Sequence, residues 1–225
     1  MRTLQFFFDV VSPYAWLGWH ALNARRAQLE VEHQIEVEPV PVLFGVLLDA
    51  RGGVGPAELP EKRAYAFRDV QRCALLAGLR LAGPPRHPFN PLRALRLCAA
   101  MDDPELGFRL AGSLLDAAWS EGRDIERDEV LADALKAVGL APQVLDSIAT
   151  AAVKDRLRAH TDRALTLGLF GVPSFVVGTE LFWGSDRLAH VEAFLRGELV
   201  LDEPSLAEIL ARPRGADRAA AQRRR

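Results

Sequence analysis

Residues Phe6 to Leu17 read Phe-Phe-Phe-Asp-Val-Val-Ser-Pro-Tyr-Ala-Trp-Leu, and the apolar pattern changes its period in the middle of that run. Up to Val10 it has the continuous hydrophobicity of a strand inside a sheet; Ser12-Pro13 then supplies an N-cap and a proline at the first helical position. Trp16, Leu17, Trp19, Ala21 and Leu22 carry a helix to about Leu29. From His33 to Val42 the alternation through Ile35, Val37 and Pro39 predicts a second strand, parallel to the first, which completes a β-α-β unit. The Ser12 hydroxyl and the first free amides of the helix therefore converge at the carboxyl end of a central strand, a place suited to holding an anion.

After Leu43 the pattern becomes irregular, with a flexible loop at Arg51 to Pro56, a helix from Glu58 to Gly78 and a break at Gly83-Pro-Pro-Arg-His-Pro88. Helical periods then dominate as far as Gly168, over Leu92–Met101, Pro104–Ser120, Asp128–Val138, Pro142–Ile148 and Thr150–Leu167. Strand character returns at Ser174–Val177, Gly178-Thr179 makes a hairpin turn, Leu181–Trp183 pairs back, and Ser185-Asp186 caps a last helix over Arg187–Arg196. The order is β-α-β, helical block, β-β-α. In 225 residues, 49 % of them hydrophobic, there is enough apolar surface for a sizeable core.

The chemistry this composition excludes narrows the field. Cys73 and Cys98 are the two cysteines, 25 positions apart in helical patterns, so there is no Cys-x-x-Cys redox pair or zinc knuckle, and both read as small buried hydrophobes. The five histidines have no metal-ligand spacing, and no metal site is expected. The formal charge of −2 hides an asymmetry, because residues 212–225 carry six arginines against Asp217; that stretch reads as a disordered basic tail. Nothing else suggests nucleic acid. No apolar run is long enough to span a membrane, and the opening residues, interrupted by Asp9, do not read as a signal peptide, so the expected compartment is the cytoplasm.

A helix N-terminus facing a proline loop, Gly171-Val172-Pro173-Ser174, is how thioredoxin-like folds build a thiol site. Here Ser12-Pro13-Tyr14-Ala15 stands where such folds carry Cys-Pro-x-Cys, which removes disulfide exchange at this position. What is left is a hydroxyl and a helix dipole, able to hold an external thiolate. The three segments Phe7 to Ala15, Gly171 to Phe175 and Phe182 to Leu188 resemble the 2-hydroxychromene-2-carboxylate isomerase family, which belongs with the kappa-class glutathione transferases and the DsbA-like thioredoxin folds. The resemblance covers about residues 3–197. It implies an α/β fold, a thioredoxin-like domain over residues 1–44 and 165–200 with a large all-helical insertion at 45–164, and a homodimer.

It also implies glutathione as cofactor. Ser12 would hydrogen-bond the sulfur; Val172, before a cis Pro173, would pair its backbone with the cysteinyl part; Asp186 and Arg187 would meet the γ-glutamyl end; Lys62 would reach the glycyl carboxylate. Tyr14 and Trp16 would line an apolar pocket for a small aromatic substrate, with Asn90 in a segment facing it. Where relatives often have Gly-Asn, this chain has Gly52-Gly53. Read without the resemblance, Ser12 and Asp186 are ordinary helix caps, Lys62 a solvated helix charge, Pro173 a trans edge-strand proline, Asn90 a cap, and Trp183 a packing residue. The expected activity is glutathione-dependent isomerisation of 2-hydroxychromene-2-carboxylate or a related intermediate of aromatic breakdown. The alternatives are a kappa-like transferase and a thioredoxin-like binding protein without chemistry.

Overall fold

The computed structural model describes residues 2–213. Strand β1 (Arg2–Phe8) leads through a short turn into α1 (Pro13–His33), and Gln34 in the left-handed region ends that helix and starts β2 (Ile35–Pro41). The sheet is completed by β3 (Ser174–Val177) and β4 (Glu180–Trp183), in the order β2-β1-β3-β4. β1 is parallel to β2 and antiparallel to β3, and β3 and β4 form an antiparallel hairpin. β1 is thus interior, as its apolar run requires. Leu4, Phe6 and Phe8 face one buried layer, while Phe7 faces a second, smaller one with Val40, Val172 and Val176.

Between β2 and β3 come six α-helices: α2 (Phe44–Ala50), α3 (Pro60–Leu76), α4 (Leu92–Ala99), α5 (Pro104–Trp119), α6 (Asp128–Ala137) and α7 (Ala151–Thr166). After the sheet come α8 (Leu188–Leu195) and α9 (Glu203–Ala211). Trp16, Trp119 and Phe108, all fully buried, fill the larger layer between the sheet and this helical block. Among the described residues no helix is long and apolar enough to cross a membrane.

Four local expectations are corrected. The stretch after Leu43, read as irregular, begins with α2. Pro142–Ala149 is a 3-10 helix, not an α-helix. The helix after β4 starts at Leu188 with Arg187 at the N-cap and no side-chain cap, so Asp186 does not cap it, and it is not the last, since α9 follows. Cys98 is buried but Cys73 only half so. The tail expected at 212–225 lies, from residue 214 onward, outside the described residues.

Candidate active site

Ser12 is the N-cap of α1. Its Oγ accepts from the Ala15 N–H at 3.2 Å, satisfying one of the helix's orphan donors, and its own proton points at the Val172 carbonyl, 3.4 Å away. Ser12 is only 7 % exposed, yet it lies against the proline bend, and the Val172–Pro173 peptide is cis. The close approach of the two segments has a visible cause in Gly18. A Cβ built there would come within 3.1 Å of Pro173 Cγ, so α1 lies on the proline loop because residue 18 has no side chain. On the far side Pro173 O accepts from the Gly184 N–H at 3.0 Å, which ties the loop to the end of β4.

Beneath this corner sits a buried acid. Asp9 is 1 % exposed; its Oδ1 accepts from the Val11 N–H and its Oδ2 from the Phe44 N–H, each at 3.0 Å. The carboxylate pins the turn before Ser12 to the start of α2. Burial outweighs the two amide bonds and raises the Asp9 pKa to about 7.

One face of α3 looks toward the start of α1. Tyr14 donates from its hydroxyl to Asp69 Oδ2 at 2.9 Å, and burial together with that bond holds the phenol well above the ordinary tyrosine range. Tyr14, Lys62 and Tyr65 line a cleft of about 380 Å³. Cys73 continues the same face, its thiol pKa raised by burial and then by the charges of Asp69 and Asp186. Asp69 is a member of the site that sequence reasoning missed. Its signal was the spacing from Lys62, since residues 62, 65, 66, 69 and 73 follow the helical period along one face.

The remaining expected residues divide. Asp186 and Arg187 pair with each other, Nη2 to Oδ2 at 2.8 Å, at the exit of β4. There Gly184 sits at φ 122°, a conformation that strains any residue with a side chain. Trp16 is a correction: it has no exposed surface, its indole N–H donates to Asp116 Oδ1 at 2.8 Å, and so it belongs to the core and lines no pocket. Asn90 is exposed and its Oδ1 accepts from the Leu92 N–H at 3.0 Å, a capping role at the start of α4. Trp183 meets the Phe170 ring edge-on at 4.8 Å between centroids but is itself 54 % exposed, so it is not part of the core.

The family model for the DsbA-like thioredoxin domain matches residues 3–196. The chain is a member of the DsbA-like family. Within it, this DsbA-like chain is 32 % identical over 216 residues to human glutathione S-transferase kappa 1, covering 88 % of this chain and 92 % of that protein. The rat glutathione S-transferase kappa 1 is 30 % identical over 213 residues, with the same two coverages of 88 % and 92 %. The 2-hydroxychromene-2-carboxylate isomerase of Pseudomonas putida is 26 % identical over 203 residues, covering 84 % of this chain and 92 % of that enzyme. Among solved structures, a 2-hydroxychromene-2-carboxylate isomerase shares the fold with a TM-score of 0.77 at 24 % identity, over 87 % of this chain and 95 % of that one. In this DsbA-like domain the first turn of α1 and its cap read Ser12-Pro13-Tyr14-Ala15, and no sulfur stands there.

Proposed function

We propose that this protein is a glutathione-dependent isomerase acting on 2-hydroxychromene-2-carboxylate or a related product of aromatic-ring breakdown. The observation that carries the reading is the Ser12 hydroxyl at the N-terminus of α1, lying against Val172 O with no protein thiol beside it. Glutathione would supply a thiolate that adds to a conjugated ring-opened substrate, permits rotation about the bond that is now single, and leaves again. The residues of this chain fit such a group. The 3.4 Å contact to Val172 O is long, so the Ser12 proton can turn from it toward a sulfur anion. Proline has no N–H, and the next amide, Tyr14 N–H, has no acceptor among the described residues, so it too is available to the anion.

Lys62 in the cleft beside Tyr14 would take the glycyl carboxylate, the Val172 backbone the cysteinyl unit, and Asp186 with Arg187 the γ-glutamyl end. Tyr14 then belongs with the glutathione arm and not with a ring pocket, because it shares its cleft with Lys62. A second reading, a kappa-like transferase, is favoured by one observation: the two mammalian kappa enzymes are 30 % and 32 % identical to this chain, against 26 % for the Pseudomonas putida isomerase. Calorimetry with millimolar glutathione, followed by NMR analysis of the products, tests both. Glutathione recovered unchanged with a cis-to-trans product supports the isomerase, a thioether product the transferase, and absence of binding removes both.

A further inference from the structure

The Val11–Ser12 peptide, which leads into the candidate hydroxyl, is gripped from both sides. Its N–H donates to Asp9 O at 3.0 Å, and its carbonyl, Val11 O, accepts from His87 Nε2 at 3.0 Å. One residue earlier the Trp119 indole donates to Val10 O at 2.9 Å, so two side chains from distant parts of the chain hold the turn that Asp9 closes locally. The direction of the His87 bond is set by Arg63 on α3. Arg63 Nη1 donates to His87 O at 2.7 Å and stands 3.3 Å from His87 Nδ1. A guanidinium only donates, so Nδ1 accepts and the ring proton sits on Nε2, facing Val11 O. Arg63 is itself held, its guanidinium 4.9 Å from the centre of the Phe67 ring. The His87 ring stands edge-on to Phe67 and Trp119, at 5.4 and 5.3 Å between centroids. Burial lowers its pKa, and the Arg63 charge acts in the same direction against the bond to Val11 O. The ring is therefore neutral and of one tautomer at neutral pH.

We propose that His87 is a positioning residue for Ser12, acting through the Val11 carbonyl, with Arg63 fixing the tautomer that lets it do so. Tilting the Val11–Ser12 peptide swings the Ser12 Cβ, and with it the Oγ that accepts from the Ala15 N–H and faces Val172 O. Asp9 O holds one edge of the peptide plane, and the His87 bond on the other edge stops the tilt. A hydroxyl that must meet a thiolate at hydrogen-bond range loses much of its effect when it is displaced by a fraction of that range. His87 bonds the carbonyl and not Ser12 Oγ, so its influence on a bound sulfur passes through the backbone. The inference rests on the glutathione reading for the identity of the thiol.

The test is a cycle of variants in the full-length protein saturated with glutathione, read as the pKa of the bound thiol from thiolate absorbance. His87→Leu should raise that pKa by ~0.5 unit, about threefold in ionisation. His87→Gln, whose side-chain amide can donate to Val11 O in place of the ring, should return it to the native value. In a Ser12→Ala background His87→Leu should shift it by less than ~0.1 unit, because the group being aimed is gone. Equal shifts in the two backgrounds, or a His87→Gln protein that behaves like His87→Leu, overturn the proposal. The Ser12 amide proton reads the same peptide with no thiol present, and its exchange should quicken ~10-fold in His87→Leu. Where that variant does not fold, ring ¹⁵N shifts of the unaltered protein decide: a neutral ring protonated on Nε2 supports the proposal, and one protonated on Nδ1, or on both nitrogens at neutral pH, overturns it. The two readings fail separately. Unaltered protein that does not bind glutathione removes the thiol reading, whereas protein that binds it with a thiol pKa indifferent to residue 87 removes this proposal alone.

Discussion

Ser12 holds one bond to a neighbouring amide and one long bond across to the opposing loop, and the second is the one it can give up. Removing the hydroxyl leaves a bound thiolate short of one donor, worth ~1.5–3 kcal/mol for a hydrogen bond to a charged group. Ser12→Ala should therefore raise the pKa of bound glutathione by about one to two units, read from thiolate absorbance against pH, with a large fall in turnover at neutral pH. Asp9 makes a prediction of opposite character. Its folded pKa of about 7 lies above the ordinary aspartate value of 3.8, so the folded state holds the proton more tightly. Its contribution to stability is then complete below the unfolded pKa and is lost as pH rises toward 7. Urea midpoints for the native chain should fall across that interval relative to those of Asp9→Asn, which has no such proton to lose; parallel curves for the two would contradict the assignment.

At the scale of elements, two glycines on and against α1 decide where the candidate site stands. Gly112 on α5 faces Trp19, and a Cβ there would lie 2.0 Å from Cζ2; the indole cannot step aside, because its Nε1 donates to Phe108 O at 3.0 Å and its ring stacks on Phe108. Gly112→Ala should cost about 1–3 kcal/mol as an overpacked core contact, visible in thermal denaturation. Gly18→Ala meets only the edge of Pro173, at 3.1 Å, so the loop can yield. That variant should stay folded and lose glutathione affinity by calorimetry, since Pro173 carries the Val172 backbone with it. Much of this layout was legible in the chain. Ser12-Pro13 marks the start of α1 because a cap and a donorless residue leave little other choice, and the Phe run marks β1 as interior. α2 was not, because Leu43 offers no cap and seven residues show too little period. The 3-10 stretch after Pro142 was misread because its apolar spacing differs little from that of an α-helix over eight residues. Asp186 looked like a cap from its position, but its carboxylate is taken by Arg187. Trp16 stood one turn from Ser12 in sequence, and only the position of Asp116 on α5 shows that it points inward.

For the molecule as a whole, the apolar layers on the two sides of the sheet involve α1 to α8, and the family match ends at residue 196. α9 lies beyond it, has no buried residue, and its linker exposes Val200 at 87 %. A helix that buries no side chain contributes little to the cooperative unit, whatever its own propensity. Asp202 caps it through the Ser205 amide, which explains why it is helical but not what it would stabilise. Ending the chain at Glu198 should therefore leave the melting temperature within ~2 °C of the full-length value, the range expected of surface changes of about 0.5 kcal/mol in a protein of this size. Glutathione binding should be equally unaffected, because Ser12, Lys62, Val172 and Asp186 all precede the cut. A shortened chain that melts much earlier, or whose melting alone becomes independent of protein concentration, would mean that α9 packs against a second copy and that the folded unit is larger than one chain.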